Sequence, residues 1–303
     1  MVGVDKKYKG VIIPMVTPIT DKMVIDVKAV STIVESFVAA GVAPFLLGTT
    51  GESFSVSEAQ KRVLVDATVK AVKGREIVYA GISSNCFEES VEAGKAFADM
   101  GVDVLVAHQP YYFPNDDKQL LVWFERLADS LPIPLILYNN PITTKQSISL
   151  DVIEKLSYHS NIYGFKDSER GMERLDHAIS LWRNRSDFSH LLGWAAQSAY
   201  SVLNGSDGII PSTGNITPVI YKKLYDAAVA GKAEEANSLQ EVTNRISEIY
   251  QKDRQVNDSI PALKVMMSVK GLCQPNVLLP MVPTSDEVVA VIVEKMKNEP
   301  ALN

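Results

Sequence analysis

Short runs of β-branched and aliphatic residues recur along this chain at a steady interval, separated by longer segments whose apolar residues fall at helical spacing. This alternation restricts the possible folds more than any other feature. Eight such runs stand out: Val11–Val16, Pro44–Leu47, Glu76–Ile82, Asp103–Ala107, Leu135–Tyr138, Ile162–Lys166, His190–Gly193 and Gly208–Pro211. Most are continuously apolar, the pattern of strands covered on both faces in a parallel sheet. Units of roughly 25 to 33 residues over about the first 230 positions have the size and number of an α/β fold of the (β/α)8 TIM barrel type. A doubly wound open sheet is the second choice.

The helices between the runs have legible ends. Asp26 is placed to cap a helix that Gly41 stops, and Ser57 with Gln60 makes a potential capping box. Asp116 or Asp117 precedes Leu120, Leu121, Phe124, Leu127 and Ala128, one apolar face at three- and four-residue spacing. After Gly231 come three helix-like segments, Ala233–Tyr250, Pro261–Gly271 and Ser285–Lys297, with no strand-like run among them. The expected organisation is a catalytic barrel over residues 1–230 and a helical extension over 231–303 packed on it.

Composition narrows the class of partner. Apolar residues are 46% and charged residues 22% of the 303, enough for a large core. Thirty basic residues against thirty-six acidic give a net charge of −6, with neither sign gathered into a block, so neither nucleic acid nor a membrane surface is an expected partner. A small molecule is. Cys86 and Cys273 form no close pair, which argues against a disulfide framework or structural zinc and for a reducing, cytoplasmic setting. The segment Met1–Gly10 has lysines but no apolar run behind them, so it does not read as a secretory signal. No stretch approaches a membrane-spanning length.

In such a barrel the functional side chains sit where the strands end. Strand two runs into Gly48-Thr49-Thr50-Gly51-Glu52-Ser53, strand four toward Gln109-Pro110-Tyr111-Tyr112, strand five into Tyr138-Asn139-Asn140-Pro141 and strand six into Gly164-Phe165-Lys166-Asp167-Ser168. Strand alternation puts Lys166 on the same side as Gly164, which leaves its stem room in the barrel mouth. A poorly hydrated lysine is shifted toward the neutral amine, and a neutral amine attacks a ketone to form an imine. The alternative is a rim lysine paired with a carboxylate such as Asp167. The two glycines and two hydroxyls of Gly48–Gly51 could hold a substrate carboxylate on backbone N–H groups, or form an ordinary strand-to-helix turn. Tyr138 is placed to pass a proton through Thr50, or else is core with a satisfied hydroxyl.

Other chemistries lack their residues. The histidines at 108, 159, 177 and 190 show no ligand spacing, with His108 read as a rim residue, and no dinucleotide, phosphate-loop or His-Glu-x-x-His motif is present. No metal and no cofactor is expected. Leu263, Met266 and Met267 read as helix core, and Trp123, Trp182 and Trp194 as packing.

Together the three motifs, Gly48-Thr49-Thr50-Gly51-Glu52, Tyr138-Asn139-Asn140-Pro141 and Gly164-Phe165-Lys166-Asp167-Ser168, resemble those of the dihydrodipicolinate synthase / N-acetylneuraminate lyase family of Schiff-base aldolases. The likeness runs from about Gly10 to Pro283. It implies that Lys166 forms the imine with a 2-oxo acid, that Tyr138 moves protons, and that Thr49, Thr50 and Gly51 hold the carboxylate. It further implies that Tyr112 enters a neighbouring subunit's relay, that Gly193 and Ile210 line the pocket, and that the protein is a homotetramer built as a dimer of dimers. One position departs. Dihydrodipicolinate synthases usually carry an arginine two residues after the proline of the tyrosine motif, and here that residue is Thr143. A hydroxyl cannot replace forked carboxylate recognition, a loss on the order of 2 to 5 kcal/mol. Thr143 with Asn140 suits a hydroxylated substrate better.

The expected activity is therefore a class I lyase that breaks or forms a C–C bond of a pyruvate-derived 2-oxo acid, first of all a 2-keto-3-deoxy sugar acid. The alternatives are condensation of pyruvate with aspartate semialdehyde, dehydration or deamination of a 2-oxo acid, and keto-acid binding without turnover. A pyridoxal-phosphate barrel enzyme would also use a lysine imine, but no paired phosphate loop is visible.

Overall fold

A computed structural model describes residues 6–303; Met1–Asp5, the start of the segment read as lacking a secretory signal, lie outside the described residues. Eight strands, β1 (Gly10–Pro14), β2 (Ala43–Leu46), β3 (Tyr79–Gly81), β4 (Val104–His108), β5 (Leu135–Asn139), β6 (Ile162–Asp167), β7 (Ser189–Leu192) and β8 (Gly208–Ile209), form a closed barrel. Neighbours in sequence pair in parallel, and β8 closes on β1. Each of the eight runs contributes one strand. The run Glu76–Ile82 yields only the three residues of β3, in part because the N–H of Val78 goes to the Asp103 carboxylate at 2.8 Å.

Helices α1 (Val27–Ala40), α2 (Glu58–Val72), α3 (Phe87–Asp99) and α4 (Asp117–Ser130) follow β1 to β4. Two short helices, α5 (Pro141–Thr144) and α6 (Leu150–Leu156), lie between β5 and β6, and α7 (Met172–Trp182), α8 (Ser198–Asn204) and α9 (Pro218–Val229) follow β6 to β8. Asp26 caps α1 through Ala29 N at 3.0 Å, and Gly41 ends it with φ 67°. Asp116, not Asp117, caps α4, in a capping box with Gln119. Ser57 caps α2, but the Gln60 side chain turns away to accept from Ile25 N at 2.7 Å, so the reciprocal half of that box is missing.

Three helices follow residue 231: α10 (Ala233–Gln251), α11 (Val256–Val269) and α12 (Asp286–Lys297). α10 packs against α8 and α9. α11 begins five residues before Pro261, which sits in its second turn and removes only one backbone bond there. Leu263, Met266 and Met267 are buried core as expected. Among the described residues no helix is long and apolar enough to cross a membrane.

The core has two compartments. An outer shell between strands and helices holds Phe37, Phe124, Phe165 and Trp182, each contributing about 1.5–3 kcal/mol by burial. An inner cluster fills the barrel with Ile12, Phe45, Tyr79, Val106, Ile136, Tyr138, Leu191 and Ile210, and Tyr8 packs edge-on against Tyr79 and Tyr163. The register of β5 on β6 is irregular: Leu135 pairs with Ile162 but Ile136 with Gly164, so Tyr163 is an extra residue in β6. Tyr163 packs on the inner cluster, and strict alternation from it would send Lys166 outward. The bulge resets the phase, and Gly164 and Lys166 pair with the inward-facing Ile136 and Tyr138.

Candidate active site

The ladder sets the first contacts. His108 pairs with Tyr138, Tyr138 with Lys166, and Lys166 with Leu191, one ring of residues near the carboxyl end of the barrel. Lys166 is buried, with Nζ 3.7 Å from the centre of the Tyr138 ring and 4.7 Å from that of Phe45. Asp167, on the opposite face, is taken by Arg174 Nε at 2.7 Å, Asn139 Nδ2 at 2.9 Å and Glu169 N at 3.0 Å. The rim pair with Asp167 therefore does not form, and Lys166 has no carboxylate partner among the described residues.

Burial of Lys166 lowers its pKa from the ordinary lysine value, while Tyr138 beside it works the other way and is outweighed. Burial alone would raise Tyr138, but the positive charge of Lys166 and hydrogen bonds from Thr49 and Ser168 bring it below the ordinary phenol value. The pair is thus an amine that loses its proton easily beside a phenol that gives one up easily.

The hydroxyl that meets Tyr138 Oη is Thr49 Oγ1, at 3.2 Å, and Asn140 Nδ2 donates to the same oxygen at 3.3 Å. The sequence points to Thr50 for that contact. Thr50 stands half-buried in the same turn. The N–H groups of Gly51 and Glu52 are spent on Gly48 O and Thr49 O within the loop, which leaves Thr49 and Thr50 as its backbone donors for an anion. Gly51 is required sterically, since a Cβ would stand 3.0 Å from Met15 O.

The loop is held from below by a contact the sequence motifs do not reveal. Glu52 adopts the left-handed conformation at φ 55°, its carboxylate forms a fully buried ion pair with Lys264 of α11, and its Oε2 accepts from Leu278 N at 2.8 Å. Lys264 Nζ also donates to Asn276 O at 2.7 Å. One signal was available: a single lysine inside the apolar stretch Pro261–Met267.

A cavity of about 620 Å³ opens above this floor, lined by Thr49, Glu52, Phe54, His108, Thr143 and residues of five further segments. Its lining reaches Thr49 and stops one side chain short of Lys166. His108 is a buried lining residue rather than a rim residue; its Nδ1 meets Gln109 O at 2.7 Å, and burial keeps the imidazole neutral. Thr143 lines the mouth with its hydroxyl on Asn140 O, and Ile210 lies in the inner cluster with Tyr138. A Cβ on Gly193 would collide with Ser168 Oγ, so the missing side chain makes room for a hydroxyl that acts on Tyr138. Tyr112 is apart from the others: it is 74% exposed, stacked edge-on with Phe113, and does not approach Tyr138 of its own chain. Among the described residues no three His, Cys, Asp or Glu side chains gather as a metal site would need.

A sequence profile of the Dihydrodipicolinate synthetase family matches residues 7–298. The chain belongs to that family. It is 30% identical over 302 residues to 4-hydroxy-tetrahydrodipicolinate synthase of Phenylobacterium zucineum, covering 97% of this chain and 98% of that one. Dihydrodipicolinate synthase from Bacteroides thetaiotaomicron superposes with a TM-score of 0.92 at 33% identity, over 97% of this chain and 99% of the other. YagE, a prophage protein of the dihydrodipicolinic acid synthase family from E. coli K12 solved in complex with pyruvate, gives a TM-score of 0.91 at 25% identity over 96% and 98%. Membership makes this chain a lyase of the class I aldolase type within the dihydrodipicolinate synthetase family.

Proposed function

We propose that Lys166 forms an imine with the keto group of a pyruvate-type 2-oxo acid and that Tyr138, with Thr49, moves the protons. The observation that carries this is the buried Lys166 Nζ, without a carboxylate partner among the described residues and 3.7 Å from the Tyr138 ring. The neutral amine attacks C2, and Tyr138 supplies a proton as the carbinolamine loses water, which leaves a positively charged iminium. The C3–C4 electron pair then flows into the iminium, giving an enamine and a released carbonyl fragment; the hydroxyl of that fragment gives its proton to Tyr138. Protonation of the enamine at C3 and hydrolysis return pyruvate and the free amine. The positive iminium beside Tyr138 favours the phenolate, which takes up the hydroxyl proton as the neutral enamine forms. The carboxylate of the 2-oxo acid lies on the backbone donors and hydroxyl of Thr49 and Thr50, next to Gly51.

Our first substrate is a 2-keto-3-deoxy sugar acid, on the ground that Thr143 and Asn140 offer neutral hydrogen-bonding groups at the mouth. Condensation of pyruvate with aspartate semialdehyde is the second reading, favoured by the activity named for the Phenylobacterium relative. A cytoplasmic homotetramer belongs to the same proposal, supported by Tyr112 and Phe113, whose exposed rings stand ready for a neighbouring subunit.

Treatment with pyruvate and borohydride, followed by peptide mapping, tests the reading: a reduced adduct on Lys166 is expected, and an unmodified Lys166 sinks it. The rate of trapping should rise with pH as the amine deprotonates, since only the neutral form attacks. Because the folded pKa lies below the ordinary 10.5, the midpoint of that rise is expected on the acid side of it. A midpoint at or above the free-lysine value would contradict the desolvated site. Gly193→Ala should slow trapping about tenfold by displacing Ser168 from Tyr138, with some loss of Tm as well, because Ser168 Cβ and the Asp167 carbonyl oxygen would also crowd the new methyl at 3.1 and 3.2 Å. An unaltered rate would show that Ser168 has no part in the relay.

A further inference from the structure

We propose that the mouth of the cavity is a binding site for a second anionic group, a carboxylate or a phosphate at the end of the substrate remote from the keto acid, held by Arg170, Arg254 and Lys145. The inference rests on the imine reading above and says what lies at the other end of the same molecule. The three cations come from separate loops, after β6, between α10 and α11, and after α5, and all line the one cavity. None has a carboxylate partner among the described residues: Arg254 donates to Ile249 O at 3.2 Å and Lys145 to Ile142 O at 2.8 Å, both backbone carbonyls. The only acid in the lining is Glu52, and its charge is spent on Lys264.

The wall therefore carries three uncompensated positive charges in a chain whose net charge is −6. Such a concentration of one sign inside a concave site focuses the field on an entering anion, and two guanidinium groups provide the forked donors that carboxylates and phosphates take best. The volume of about 620 Å³ lies within the range of small-molecule pockets. The cations that Thr143 does not supply thus arrive from the end of its own segment, at Lys145, and from two other loops. A neutral-ended keto-deoxy sugar acid would leave them unused.

Borohydride trapping on Lys166 supplies the test, with the half-saturating concentration of each ligand as readout and pyruvate as the reference in every variant. One arm compares 2-oxoglutarate, 2-oxoadipate and 2-oxopimelate with 2-oxohexanoate, which lacks the distal carboxylate. The other compares 2-keto-3-deoxygluconate with its 6-phosphate. At least one dianion is expected to trap at a concentration about tenfold or more below its neutral-ended counterpart. That preference should shrink as salt is raised, and fall toward unity in the double variant Arg170→Met, Arg254→Met. The arm showing it identifies the anion. Equal half-saturation across both arms, or a preference that survives the double variant, overturns the site. Failure of every keto acid to trap, pyruvate included, overturns the imine reading and the site with it.

Discussion

Lys166→Met is expected to abolish the borohydride adduct with pyruvate and to lower turnover by about 10⁴-fold or more, the scale seen when a covalent nucleophile is removed. The same substitution should leave Tm unchanged or raise it. The amine sits in the barrel interior against Phe45 and Tyr138 with no carboxylate among the described residues to offset its desolvation, so it is held there at a cost in stability. A thioether of similar length removes that cost and keeps the packing. Opposite signs for activity and stability would mark a residue kept for chemistry rather than for the fold. Turnover reduced by less than about tenfold would mean that another group carries the imine, and a large drop in Tm would mean that the ammonium has a structural partner.

Lys264→Met should act in the other direction, lowering stability by about 3–5 kcal/mol because it strands the Glu52 carboxylate in a fully buried site. For a chain of this size that is a fall in Tm of roughly 6–10 °C. Burial already draws the Lys264 pKa down, with Glu52 opposing, so the ammonium depends on its partner to stay charged. The damage also reaches the ligand, because Glu52 needs its anchors to hold φ at 55° beside Thr49 and Thr50. The half-saturating concentration of pyruvate in trapping should therefore rise. Exchanging both partners, Glu52→Leu with Lys264→Met, should recover much of the stability but not the affinity, since an apolar pair packs without fixing the loop. Thermal unfolding of the parent and the two variants reads this directly. A single Lys264→Met protein that melts within about a degree of the parent would show the buried pair to be incidental.

The barrel and the two residues at its mouth were legible because both are written locally. A strand covered on both faces announces itself in five or six apolar residues, and Lys166 and Tyr138 each interrupt such a run near its end. The Glu52 to Lys264 pair and the three cations of the mouth were not legible. They are made by loops far apart in sequence, and nothing in the periodicity of either partner records the other. Between these lies the Thr49 and Thr50 pair: the motif gives two adjacent hydroxyls, but which one turns toward Tyr138 is decided by the backbone of the turn, where Leu47 and Glu52 both take positive φ.

The extra residue at Tyr163 makes the location of the amine a matter of parity. Were Tyr163 to pair with Ile136 in place of Gly164, the composition of the strand would be untouched, yet every side chain after it would change sides, with Phe165 turned into the barrel and Lys166 out among the helices. Chemistry in this chain thus depends on an odd or even count as much as on the identity of any side chain. A relative that keeps the lysine motif and a residue at the place of Tyr163, but pairs that residue in register, would have the letters of the site without its address.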